Sequence, residues 1–251
     1  MAVTAEQQLA DAARSASLAG KGTAWVDAFR DTALKDFSKR GLPVATMEDW
    51  RYTNLRGLAR KFPAPVVADE AGATQKKIKA PERIEDLQTI RLVFVDGRFS
   101  ATLSDGHLAS NDMLVENLAS VLRRDPALVQ DLVGDRIGAH AHGFTAINSA
   151  MLDDGCVIRF GKNADLMTPV ELVYLSSSEE RSRFARNIIH LEQGSRATVI
   201  ERFVSADDTV SGLTSVISEI SVGANASLSH YRIQDENPSS SHVGETILWS
   251  R

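Results

Sequence analysis

Between Thr4 and Arg40 apolar positions recur at helical spacing; after Cys156 they come in short runs rich in Val, Ile, Tyr and Ser. That change of period divides the chain. Thr4-Ala5-Glu6-Gln7 has capping-box spacing, which predicts a helix start, and Gly20 supplies a stop. A second helix is predicted from about Thr23 to Arg40, because Val26, Phe29, Ala33 and Phe37 share one face. Gly41 can adopt the left-handed cap, and Leu42-Pro43 blocks continuation. Thr46 and Asp49 repeat the capping spacing and predict a short helix from Met47. Residues 62–87 keep no period and read as a linker. Residues 89–105 read as a hairpin: Ile90 to Val95 goes out, Asp96-Gly97 turns, and Phe99 to Leu103 returns. Helical segments are expected around Met113–Arg123, Pro126–Ile137 and Phe144–Leu152.

From Cys156 onward three motifs line up: "VIRFGKNADL", "HLEQGSRATV" and "EISVGANASL". Each has Gly-x-x-Ala between β-type runs, at Gly161/Ala164, Gly194/Ala197 and Gly223/Ala226, so the glycines lie 33 and 29 residues apart. Such spacing predicts stacked repeats, in which no unit can bury its apolar face alone. The alternative is an antiparallel sandwich whose hairpin turns carry the motif. The organisation expected is 1–87, an N-terminal helical region with linker; 88–152, a hairpin plus helices leading into the core; and 153–251, the first coils of a β-solenoid. The closing "ETILWSR" reads as mid-strand, which predicts either a covered edge or the front part of a longer protein.

Composition narrows the chemistry. The chain has 251 residues, 43% of them apolar, and a net charge of -5, which argues against a general positive field for nucleic acid. The single cysteine, Cys156, cannot form an intramolecular disulfide framework or hold an iron–sulfur cluster by itself. The N-terminus lacks the basic end and apolar run of a signal peptide, and no stretch is apolar enough for a membrane span, so a cytoplasmic address is expected.

The motifs of common chemistries are missing: no Walker loop and no Gly-x-Ser-x-Gly elbow. His140 and His142 have no neighbouring Cys or carboxylate at ligand spacing. Cys156 reads as a buried inert thiol, and Asp153-Asp154 as turn residues and not an acid–base pair. "TMEDWRYTNLRGLARK", Thr46 to Lys61, mixes Trp50, Tyr52 and four cations. It has a structural reading, with Trp50 and Leu58 inward and Arg51, Arg56, Arg60 and Lys61 solvated, and a rival one as a cationic-aromatic surface. Acidic Glu48 and Asp49 favour the structural one. No residue is assigned as catalytic, cofactor-binding or metal-ligating.

A resemblance adds to this. "EDWRYTNL", Glu48 to Leu55, resembles the signature near the start of SufD-type members of the SufB/SufD family, the iron–sulfur cluster assembly proteins of the SUF system. "VFVDGRFSATLSD", "HGFTAINSAMLDDGCVIRF", "RNIIHLEQGSRATVIERFVS" and "EISVGANASLSHYRIQDE" resemble later segments of that family, in the same order, from about Leu42 to Arg251. The resemblance implies a right-handed parallel β-helix after an α-helical N-terminal region, mainly β overall. It also implies a non-catalytic scaffold in a SufBCD-type complex, pairing with a SufB-like subunit and a SufC-like ATPase, with a homodimer through the β-helix as a further possibility. The cluster belongs to the complex, and Trp50 and Tyr52 become anchors of the helical region. The late Cys and His positions of the family have no counterpart in this sequence. Two other classes remain: a β-helix enzyme acting on polysaccharide, for which Glu171, Glu201, Arg202, His230 and Arg232 are the candidates, and a generic repeat-type binding module.

Overall fold

Helix α1, Ala5–Ser15, starts as its cap predicts: the Thr4 hydroxyl accepts from the Gln7 N–H at 3.2 Å. It ends at Ala16, and Gly20 lies in a later turn. Helix α2, Ala24–Arg40, buries Val26, Arg30 and Phe37 along one stripe and closes on Gly41. The protein is described by a computed structural model covering residues 4–60, 62–66, 78–134 and 142–250. A 3₁₀ turn at Glu48–Trp50 replaces the helix predicted from Met47, and no side chain caps it. Helix α3 follows at Arg56–Arg60.

Strand β1 is Ala64–Pro65, and the predicted hairpin forms from β2, Ile90–Val95, and β3, Arg98–Phe99. Asp96 and Gly97 both take positive φ, as a tight hairpin turn demands. The returning strand is shorter than predicted, because residues 101–104 turn instead of pairing. The helix expected at Met113–Arg123 is split. Met113–Asn117 forms strand β5, paired antiparallel with β4, Leu108–Ala109, and with β6, Cys156–Phe160; only Leu118–Arg124 is helical, as α4. Pro126–Val129 is a 3₁₀ turn, and the rest of that predicted helix lies partly outside the described residues. Helix α5, Gly143–Ala150, forms as expected and is buried throughout.

Seven strands then stack. After β6 come β7, Val170–Ser176; β8, Arg181–Leu191; β9, Arg196–Ser205; β10, Gly212–Val222; β11, Ser227–Asp235; and β12, Ser240–Ser250. They alternate between two sheets: β6, β8, β10 and β12 lie parallel in one, and β7, β9 and β11 in the other. This is a parallel β-solenoid of about three turns, not an antiparallel sandwich. The hairpin strand β2 extends the second sheet by pairing parallel with β7.

The repeat is real, but its frame differs from the Gly-x-x-Ala one. Register pairs Leu191 with Phe160 and Val222 with Leu191, a step of 31 residues. On that step Asn163, Gly194 and Asn225 superpose, and all three take positive φ, 60°, 73° and 58°. The recurring requirement is thus one left-handed residue per turn, which Asn and Gly both meet. The middle glycine sits two positions later in its turn than Gly161 and Gly223, hence the uneven 33 and 29.

The solenoid interior holds Leu92, Ile158, Leu172, Val199, Val216 and Ile220, with Phe94, Tyr174 and Phe203 stacked at ring distances of 5.1 and 4.9 Å. Each such buried side chain contributes roughly 1.5–3 kcal/mol. The helices pack on the outer face of the first sheet, where Phe37, Phe144 and Ile147 meet Phe184 and Leu213. There Asn148 Nδ2 donates to the Ala185 and Ser215 carbonyls at 3.2 and 3.0 Å. Helices α2 and α5 approach so closely that a Cβ at Gly143 would lie 1.9 Å from the Gly41 carbonyl oxygen.

Candidate functional site

The segment from Thr46 to Arg60 splits into two halves, and Lys61 lies outside the described residues. Trp50 is half-buried and packs edge-on to His142 at 5.0 Å and against Phe144 at 5.4 Å. Leu55 and Leu58 join the same cluster, so this side does fix the segment to the helical layer. Tyr52 does not anchor anything: it is 90% exposed, with the Arg51 guanidinium 4.9 Å over its ring. The anchoring role expected of Tyr52 is therefore wrong, because the 3₁₀ turn points it away from Trp50.

The five charged candidates of the repeats fall on opposite faces of one sheet. Glu171 faces outward, fully buried under residues 81–82, where Arg91 Nε and Nη2 donate to it at 2.9 and 3.1 Å. Arg202 lies 3.8 Å from Glu171 and donates to the Glu82 carbonyl at 2.6 Å. Glu201 faces inward. Arg232 Nη2 donates to it at 3.0 Å, Asn187 Nδ2 at 3.0 Å and the Ser218 hydroxyl closely, and His230 Nε2 lies 3.3 Å away. Burial would push the Glu201 pKa up; His230, Ser218 and Arg232 outweigh it and hold it at about 2. Two of the candidates thus meet on the outside of the sheet and three on the inside.

The inward cluster extends to residues that the motifs did not flag. Tyr174 Oη donates to Asn187 Oδ1 at 2.5 Å, and the Cys156 N–H donates to the same oxygen at 3.1 Å. Nearby, His242 Nδ1 contacts Glu236 at 2.7 Å and its ring meets Phe203 edge-on at 4.7 Å. Asn187, Ser218 and Thr246 share one register row. Aligning the turns on Asn163, Gly194 and Asn225 would have placed Asn187 and Ser218 in that row from sequence.

The remaining candidates have structural partners. Cys156 is fully buried, and burial pushes its thiol well up. Asp153 and Asp154 are both buried. Asp153 accepts from the Ala19 N–H at 2.6 Å and faces Arg98 at 2.8 Å. Asp154 accepts from the N–H groups of Phe99, Ala119 and Gly155 at 2.8, 3.0 and 2.9 Å, while burial raises its pKa. They tie the N-terminal helices, the hairpin and the solenoid together. His142 caps α5, its Nδ1 accepting from the Thr145 N–H at 3.4 Å; burial lowers its pKa although Glu245 and Asp49 face it. His140 lies outside the described residues. Among the described residues no three His, Cys, Asp or Glu side chains are placed to hold a metal ion, and no helix is long and apolar enough to cross a membrane.

A helical layer over a two-sheet parallel β-solenoid is the build of a rigid repeat protein. Comparison with known families assigns it further. Residues 4–172 match the SufBD protein N-terminal region, and residues 174–248 match the SUF system FeS cluster assembly SufBD core domain. The chain belongs to the SufBD family of SUF-system iron–sulfur cluster assembly proteins. It is similar to the iron–sulfur cluster assembly protein SufD of Escherichia coli, 29% identical over 220 residues, covering 86% of this chain and 48% of that protein. SufD of Bacillus subtilis is 23% identical over 212 residues, covering 82% and 48%. A SufBD family protein of Synechocystis is 22% identical over 219 residues, covering 82% and 47%. The chain spans about half the length of these curated relatives.

Proposed function

We propose that this protein is a cytoplasmic scaffold subunit of a SufBCD-type complex, pairing with a SufB-like β-solenoid subunit and a SufC-like ATPase. The iron–sulfur cluster is cargo built at the level of the complex, and this chain supplies a stiff platform and no nucleophile or acid–base pair. The observation that carries the reading is where the SufBD core region falls. It coincides with coils whose titratable groups Glu201, His230 and Arg232 are turned inward and paired with one another. Nucleotide-driven motion of an attached ATPase would then act on a rigid body.

The test is to tag the protein at its N-terminus in its own cells, isolate it gently and identify its companions by mass spectrometry. Co-isolation of an ATPase and a related β-solenoid subunit is the expected result. Recovery without either, from cells that make both, overturns the proposal.

A further inference from the structure

The exposed half of the segment from Thr46 to Arg60 lines an open concave site of about 500 Å³. Val44, Tyr52 and Leu55 supply apolar surface, and Arg51 and Arg56 supply cations. We infer that this groove docks a short acidic peptide segment of a partner protein, one that places an apolar side chain between two or more carboxylates.

Several observations converge on that occupant. The floor is fixed, since Leu42 and Pro43 are buried and Trp50 and Leu55 are packed against the helical layer, so little ordering cost accompanies binding. Three large apolar side chains are exposed within nine residues, Val44, Met47 and Tyr52, the last almost fully. Tyr and Arg are both enriched among the residues that carry most of the energy of protein interfaces. The cations are available. Arg56 uses only its backbone N–H, on Asn54 Oδ1 at 3.2 Å, and its guanidinium meets no carboxylate among the described residues. Arg51 is paired with Glu48 at 3.2 Å, but both side chains are more than half exposed, where such a pair is worth little. The net charge of -5 works against a polyanion such as nucleic acid, which needs a broad positive field, while a peptide needs only these local pairs.

The test pans random dodecapeptides displayed on phage against the protein, then titrates synthetic winners by fluorescence anisotropy. Winners are expected to carry at least two acids beside a Leu, Val or Phe, and to weaken with salt. Affinity should fall about tenfold or more in Arg56→Glu and in Tyr52→Ala. Both side chains are exposed, so an unchanged melting curve confirms that the fold is kept. The inference is overturned by winners without acids, by winners that bind both variants as well as the parent, or by no winners. It is overturned equally if single-stranded RNA binds with the same Arg56 dependence, or if Arg56→Glu dissolves a homodimer, which would make a second copy the occupant. The proposal deepens the assembly reading by giving it a second contact surface. Because the peptide assay needs neither ATPase nor sister subunit, its failure is distinct from failure of the companion isolation.

Discussion

A carboxylate inside a β-solenoid persists as an anion only if its charge is answered locally. Glu201 meets that condition with Arg232, His230, Ser218 and Asn187. Its pKa is held at about 2, below the ordinary glutamate range. A depressed carboxylate pKa gives stability that is fully present above the unfolded value and is lost as pH falls through the folded value. The contribution is about 3 kcal/mol, removed between roughly pH 4.5 and 2. Urea denaturation across that range should show the loss in the parent and a shallower one in Glu201→Gln. At neutral pH that variant should be less stable by about 3–5 kcal/mol, because the largely buried Arg232 guanidinium keeps its charge and loses its carboxylate partner. Trp50 and Tyr52 make a second residue-scale contrast. Trp50 is only half-buried, so Trp50→Ala should cost about 1.5–2.5 kcal/mol, less than a fully buried ring. Tyr52→Ala should move the melting curve by less than about 0.5 kcal/mol. Thermal melts of the two variants check both.

At the scale of the element, the turns between sheets decide the stacking. Gly194 takes φ 73°, and a Cβ there would lie 2.3 Å from Asn163 Oδ1, so Gly194→Ala should destabilise by about 1–3 kcal/mol. Asn225→Gly, at the equivalent position one turn on, should stay within about 0.5 kcal/mol of the parent, since glycine accepts φ 58° without strain. Equal costs in chemical denaturation would sink the idea of one left-handed residue per turn. The helix α1 cap, the α2 stripe and the Asp96-Gly97 turn were legible because each rests on interactions within a few residues. Met113–Asn117 was not. Met-Leu-Val-Glu-Asn leads into a helix-compatible run, and it is a strand because β6 offers an antiparallel edge from Met113↔Phe160 to Asn117↔Cys156.

Across the whole molecule, stability should grade along the solenoid, because each turn contacts only its neighbours. Amides of β9 and β10 have strands on both sides, whereas β11 and β12 have one each among the described residues. Hydrogen exchange should therefore be slowest in β9 and β10 and faster in β11 and β12. Uniform exchange along all four strands would count against the graded stability.

What the sequence determined by itself was the inventory: an N-terminal helical region, a hairpin, β-type repeats of about thirty residues, and family markers running in order. These follow from local caps, turn chemistry and hydrophobic period. What the tertiary structure alone decided was the frame and the facing. A strand's period of two sorts residues into two sets without saying which set is inside. Glu171 and Glu201 look alike in sequence, and only the stacking sends one outward to Arg91 and the other inward to Arg232. Likewise Trp50 and Tyr52 are two residues apart, and the turn between them puts one ring on Phe144 and leaves the other in solvent.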